Sequence, residues 1–263
     1  MKMLRKITII LITTFALVAN VDAASDGELL IKKNDPSEIK DCSEGFNRAT
    51  FAFNQGLDKT IFKPAASLYK KFPSPVRKGV SNSLDNLSNL VTIPNNLLQG
   101  NLAEAGRNTG RFLINTTAGI LGLVDVAQHL GFTEYEKEDY GQSLASHGVS
   151  PGCYIVLPII GPSTARDAIA SIANFTGGDA WYNVSVKNET HHFSDVDYYS
   201  SKVTGGVDFR AKNYDSLENL EKNAIDFYAS VKSLYLQDRQ QKILNTQEIV
   251  NTQNDSDWEE IDN

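Results

Sequence analysis

Hydrophobic and polar positions alternate along this chain mostly with a helical period. Phe46, Ala49, Thr50, Phe53 and Leu57 fall on one side of a helix, with Asn47, Arg48, Asn54 and Asp58 around the remainder. The spacing predicts a helix over 44–57 that packs through its aromatic face. Pro64, Pro73 and Pro75 limit any helix over 58–80 to a short one. Ser81 to Leu98 reads as a helix interrupted at Pro94, with Leu84, Leu87, Leu90 and Val91 on one face. Asn101 is placed to cap the next helix. That helix carries Glu104, Arg107, Asn108, Arg111 and Asn115 as a continuous polar stripe, with Leu102, Ala105, Thr109, Phe112 and Leu113 on the other side. Leu217, Leu220, Ala224, Phe227, Val231 and Leu234 mark one long helix over 215–244. Residues 174–214 carry no strong pattern.

Two apolar stretches stand out. Residues 112–124, read as a helix, are about 20 Å long at 1.5 Å per residue. They can enter one leaflet but cannot cross a hydrocarbon core of about 30 Å. Gly119 and Gly122 within it fit a bend or a close backbone approach. In the second stretch, 154–160, Pro158 argues against a central strand or a regular helix and predicts a kinked interfacial segment or a buried connector. Ser163 is expected to cap a helix starting near Thr164, with Arg166 and Asp167 in its first turn. Beyond Asn245 there are acids and no bases, the pattern of a disordered acidic tail over 245–263.

Charge and composition add a compartment. Lys2, Arg5 and Lys6 precede the apolar run Ile7 to Ala19, and Val21-Asp22-Ala23 offers a cleavage site, so residues 1–23 read as a cleaved secretion signal. Residues 24–40 form an arm ahead of a domain over 41–244. Removing the signal takes away three bases and Asp22, which moves the net charge from −7 to −9. An acidic exported protein is a poor nucleic-acid binder. Cys42 and Cys153, in an oxidising compartment, leave two readings open: a disulfide, or two unpaired buried thiols. The basic run Lys59, Lys63, Lys70, Lys71, Arg77 and Lys78 reads either as solvated surface or as a face for anionic headgroups.

Catalytic chemistry finds little support. The chain has no nucleophile elbow, no His-Glu-x-x-His and no Cys-x-x-Cys, and its glycines form no phosphate loop. His129 and His147 stand alone. Adjacent His191 and His192 point in different directions in any regular element, and no third metal ligand accompanies them. Ser163, His147 and Asp167 compose a hydrolytic triad by residue type alone. Neither an enzyme, a cofactor nor a metal site is expected.

The ordered blocks between residues 41 and 240 resemble the MlaA (VacJ) family of Gram-negative envelope proteins. The resemblance rests on Glu44-Gly45-Phe46-Asn47-Arg48-Ala-Thr-Phe-Ala-Phe53-Asn54 with Leu57-Asp58, and on Lys63-Pro64, Pro75-Val-Arg77 and Gly79-Val-Ser-Asn82. It continues through Asn96-Leu-Leu-Gln-Gly100, Gly110-Arg-Phe-Leu-Ile-Asn-Thr-Thr117 and Asp125-Val-Ala127. Asp139-Tyr-Gly-Gln-Ser-Leu144, Tyr154-Ile-Val-Leu-Pro158, Gly161-Pro162-Ser163 with Arg166-Asp167, and Tyr235-Leu-Gln237 with Arg239 complete it. The resemblance implies an all-α, ring-shaped domain whose amphipathic helices enter one leaflet, seated in the inner leaflet of the outer membrane. It implies phospholipid moving through an amphipathic channel from the outer leaflet to a soluble periplasmic carrier, with a trimeric porin as partner, so that outer-membrane lipid asymmetry is maintained.

On that reading Glu104, Arg107, Asn108, Arg111, Asn115, Gly119 and Gly122 are the expected channel wall or headgroup guide. Phe112, Leu113, Ile120, Leu121, Leu123, Ile155, Leu157 and Ile159 are the expected membrane-embedded surface. No cysteine follows the apolar leader in a lipidation context, so attachment is expected to rest on this surface and a porin, at the periplasmic face of the outer membrane. The rivals are an envelope scaffold that binds a porin and a periplasmic lipid hydrolase using Ser163.

Overall fold

The computed structural model describes residues 39–133, 135–183, 186 and 193–259. The secretion signal, most of the arm and the His191-His192 pair lie outside these residues. Eleven α-helices and one β-hairpin make up the described fold. Helix α1 spans Glu44–Leu57 and passes through a π-turn at Asp58–Phe62 into α2, Lys63–Tyr69. Helix α3 is Ser74–Leu98, α4 Leu102–Thr117, α5 Val126–His129 and α6 Tyr140–Ser146. Strands β1, Tyr154–Leu157, and β2, Gly161–Thr164, pair antiparallel with Leu157 opposite Gly161. Helices α7, Ala165–Ala173, α8, Ala180–Tyr182, α9, Asp195–Lys212, α10, Tyr214–Asn223, and α11, Phe227–Glu259, complete it.

Helix α1 departs from its predicted orientation. Asn47 and Thr50 are buried, whereas Phe46 is 63% exposed and Phe53 54% exposed. The polar side is inward because it is stitched to a strand. The Asn47 amide donates to the Tyr154 carbonyl at 3.0 Å, and its oxygen accepts from Val156 N at 2.9 Å. Two helical turns on, Asn54 donates to the Leu157 carbonyl at 2.9 Å and accepts from Ile159 N at 2.7 Å. Each side-chain amide thus serves β1 as a neighbouring peptide group would in a sheet. Phe51 also turns inward, edge-on to Phe227 and Tyr228. Around this seam lies a small apolar core of Tyr154, Val156, Tyr228 and Leu236. Cys42 and Cys153 are joined in a disulfide with Cα atoms 5.6 Å apart, which resolves the two sequence readings.

Other boundaries also differ from expectation. Residues 154–164 form a hairpin rather than a kinked connector, and Pro158 sits in its turn, where no ladder donor is needed. Helix α3 starts at Ser74, with Pro75 in its first turn, and continues through Pro94. Polar side chains fasten it to α4, with Asn86 Nδ2 donating to Thr116 Oγ1 at 2.8 Å and Asn108 Nδ2 to Asn96 Oδ1 at 2.9 Å. Helix α4 stops at Thr117, capped as expected by Asn101, and residues 118–124 are a turn with Ile120 and Leu121 in the left-handed region at φ 54° and 56°. The long C-terminal helix is two, because Asp226 caps a fresh start by accepting from Ala229 N at 3.1 Å. Its second part runs to Glu259, through most of the segment read as a disordered tail. Thr164 rather than Ser163 caps α7.

Helices α9 and α10 answer the basic segment. Lys59 pairs with Glu221 at 2.7 Å, Lys63 with Glu218 at 2.6 Å and Lys70 with Asp215 at 3.0 Å. Arg210 grips Asp58 through two bonds and Glu218 through a third. Half of the expected basic face is therefore neutralised within the protein.

Candidate functional site: an amphipathic cavity behind an apolar surface

Among the described residues, more polar and charged side chains are buried than hydrophobic ones, and many of the buried hydrophobic residues are alanines. Large aliphatic and aromatic side chains are exposed along most helices, including Ile61, Leu68, Leu102, Leu113, Ile169 and Val203. An ordinary water-soluble domain has the opposite arrangement.

Two turns carry this inversion furthest. The 118–124 turn presents Ile120, Leu121, Leu123 and Val124 to the exterior, and the hairpin tip presents Ile159 and Ile160. Ile120 and Ile159 are 65% and 67% exposed, and both are β-branched residues at positive φ. Such backbone costs roughly 1–3 kcal/mol and persists where surrounding structure enforces it. At the 118–124 turn, Gly119 and Gly122 permit the close packing that holds it. A Cβ on Gly119 would stand 2.2 Å from the Val124 carbonyl oxygen, and one on Gly122 2.6 Å from Asn86 Cβ. Of the remaining expected surface residues, Leu113 is exposed, whereas Phe112, Ile155 and Leu157 are half-buried.

The polar stripe of α4 divides. Glu104 pairs with Arg107, and Asn108 is buried against Asn96. Arg111 donates to the Thr133 carbonyl and to Asp125 Oδ2, both at 2.6 Å. Asn115 donates to Asp125 Oδ1 and accepts from Ala127 N, both at 2.9 Å. Arg111 and Asn115 also border a cavity of about 180 Å³ with Asn86, Asn89, Asp125 and Tyr135. Asp85 is shared between this cavity and a larger one of about 470 Å³.

The larger cavity is the most suggestive feature of the fold. One wall is the aliphatic face of α3, where Leu84, Leu87 and Val91 line space rather than a packed core. The opposite wall is α9, with Lys202, Asp208, Phe209 and Lys212, and Trp181 and residues 137–139 close the sides. Lys202 pairs with Asp179 at 2.9 Å, and Lys212 with Asp208 at 3.0 Å. Among the described residues, Asp85 and Lys137 form no such pair. Burial holds the Asp85 carboxyl above the usual carboxylate range against the opposing charges of Lys212 and Lys137. Burial, reinforced by Lys202, holds the Lys137 ammonium below its usual range.

Asp139 joins this cavity to a third, of about 210 Å³, and belongs to the densest charge network in the fold. Arg239 donates to both Asp139 oxygens at 2.6 and 2.7 Å and to Asp167 at 2.9 Å. Arg166 and Tyr235 donate to Asp167 at 2.9 and 2.8 Å. Burial pushes Asp139 up, but the hydrogen bonds and charge of Arg239 outweigh it and hold the carboxyl at about 2. The Asp139, Arg166-Asp167 and Tyr235…Arg239 blocks are thus one structural clamp. Gly141 belongs to it because a Cβ there would meet Arg239 at 2.3 Å and Asp167 at 2.4 Å.

The imagined triad is not assembled. His147 Nδ1 lies 2.8 Å from the Ser143 carbonyl oxygen, Ser163 Oγ donates to Thr164 O, and Asp167 serves Arg239. Of the remaining motif residues, Arg48 binds Glu44 and Asp226 and lies over the Tyr228 ring, Gly161 takes φ +96° beside Pro162, and Gly45 and Pro158 are exposed. Sequence reasoning placed Leu84, Leu87 and Val91 on one helix face and passed over Asp85, Lys137 and α9. The charge pattern of α9 carried no signal without knowledge of what it faces.

The family model described as MlaA lipoprotein matches residues 39–242. An uncharacterized protein of Rickettsia prowazekii is 43% identical over 53% of this chain, and the match takes in 56% of that protein. The intermembrane phospholipid transport system lipoprotein MlaA of Haemophilus influenzae is 31% identical, covering 79% of this chain and 80% of that protein. The Escherichia coli protein of the same description is 31% identical over 82% of this chain and 81% of its own length. A structure solved as the basis for maintenance of bacterial outer membrane lipid asymmetry superposes with a TM-score of 0.65 at 29% identity, covering 78% of this chain and 99% of the other.

Proposed function

The chain belongs to the MlaA family, and from that premise we propose that it is a phospholipid conduit of the outer membrane. It takes phospholipid misplaced in the outer leaflet and passes it to a soluble periplasmic carrier, beside a trimeric porin, with no covalent chemistry. The observation that carries this reading is the inversion of polarity: apolar side chains outside, polar groups and an amphipathic cavity inside. A lipid needs both an apolar wall for its chains and polar groups for its phosphate, and Leu84, Leu87 and Val91 face Lys202 and Lys212 across that cavity. Arg111 and Asn115 border the adjoining cavity and fit a headgroup guide. The described helices include none long and apolar enough to cross a membrane. The 118–124 turn and the hairpin tip suit insertion into one leaflet, at the periplasmic face.

The test is to express the chain with its own leader in a Gram-negative host and identify bound lipid by mass spectrometry. Phospholipid in the membrane-derived protein, with a porin alongside, is the expected result. Protein that holds a porin but no lipid would overturn the conduit in favour of a scaffold.

A further inference from the structure

The charges around the larger cavity are not all spent. Lys202 is answered by Asp179 and Lys212 by Asp208. Asp139 is answered by Arg239, and Glu138 accepts from Gln99 at 2.9 Å. Asp85 on α3 and Lys137 on the opposite loop remain. Each acts on the other as a charge, yet among the described residues neither side chain forms a hydrogen bond or ion pair. Both are exposed residues on the cavity's lining, and the protein beside them still disfavours their charged forms. Two unpaired opposite charges that line one cavity with the aliphatic wall of Leu84, Leu87 and Val91 make an incomplete circuit. A ligand completes it if it carries an anion, a cation a short distance away, and apolar chains.

We propose that Asp85 and Lys137 form a headgroup-selecting pair for zwitterionic phospholipid, with Lys137 taking the phosphate and Asp85 the ammonium of a phosphoethanolamine headgroup. This deepens the conduit reading and rests on it. An anionic headgroup such as phosphatidylglycerol has a phosphate for Lys137 but leaves Asp85 unanswered and close to a like charge. Selection therefore lies with Asp85, and general phospholipid retention with Lys137. Asp85 is the specificity-determining group and Lys137 the retaining one, and the apolar wall makes a chain-bearing lipid, rather than a free phosphodiester, the ligand.

The full chain is incubated with vesicles of equal parts phosphatidylethanolamine and phosphatidylglycerol, repurified, and its bound lipid quantified by mass spectrometry. Wild type is expected to be enriched in phosphatidylethanolamine. Asp85→Asn lowers that enrichment about fivefold, the upper size of one solvent-reached charge contact, while Asp85→Glu keeps it. Lys137→Gln lowers total bound lipid and leaves the ratio unchanged. Glycerophosphoethanolamine at equal concentration does not displace the lipid. The proposal is overturned if Asp85→Asn, folded by circular dichroism, retains the wild-type ratio, or if Asp85→Glu loses it as Asn does. Displacement by the chainless headgroup would also overturn it, in favour of a soluble ligand. If wild type binds phospholipid without preference, only the selectivity fails. If it binds none, the conduit reading fails with it.

Discussion

A buried asparagine decides more here than any buried leucine. Asn47 is 1% exposed and satisfies a strand carbonyl, a strand N–H and Asp41. Removing it leaves the Tyr154 carbonyl and the Val156 N–H inside the protein without partners. Each such group costs roughly 1–3 kcal/mol. Asn47→Ala is therefore expected to destabilise the domain by about 3 kcal/mol in urea unfolding. Asn54→Ala, whose site is part-exposed and reachable by water, should cost about 1 kcal/mol; equal losses would contradict the stitching role. The sequence shows Asn47 and Asn54 seven apart on one side of an amphipathic helix. It could not show that this side is the inner one. Hydropathy ranks asparagine as a surface residue, and only the unpaired strand edge beside α1 makes it an interior one.

Elements were more legible than their ends. The periodicity over 44–57 and 102–117 located two helices, and Asn101 located a cap. What escaped were stops imposed by distant partners. Residues 118–124 continue an apolar run, and nothing local ends the helix at Thr117 except two glycines, Gly119 closed onto Asn115 and Val124 and Gly122 against Asn86 of α3. The cap at Asp226 is hidden by a near-heptad pattern that runs straight across it. Arg239 shows how elements are then locked together. From α11 it reaches Asp139, the cap of α6, and Asp167 in the first turn of α7. The Asp139 carboxyl falls from its ordinary 3.8 to about 2 in the folded protein. Folding thus favours its ionised form, and that stability is complete above about pH 4 and lost as pH falls towards 2. Asp139→Asn should cost about 1 kcal/mol at neutral pH, because Asp139 is half exposed and screened by solvent and Arg239 keeps Asp167 as a partner. The variant should also lose less stability than wild type between pH 4 and pH 2. Parallel pH profiles in chemical denaturation would show that Asp139 does not couple these helices to protonation.

At the scale of the whole molecule, the inversion of polarity turns local strain into a functional quantity. Ile120 and Ile159 occupy backbone that a β-branched residue resists, at two exposed apolar turns. Aspartate enters that region more readily than isoleucine. If folding alone governed these positions, an acid would serve better. The doubly substituted Ile120→Asp, Ile159→Asp protein should therefore be as stable in detergent as wild type, or about 1 kcal/mol more stable. Its affinity for phosphatidylethanolamine–phosphatidylglycerol vesicles should fall at least about a hundredfold in flotation, because two side chains each lose roughly 1.5–3 kcal/mol of apolar burial. Higher stability with lost membrane binding would show that the strain is kept for docking in the leaflet. Destabilisation with unchanged flotation would show that these isoleucines hold the turns together and that the protein meets the membrane elsewhere.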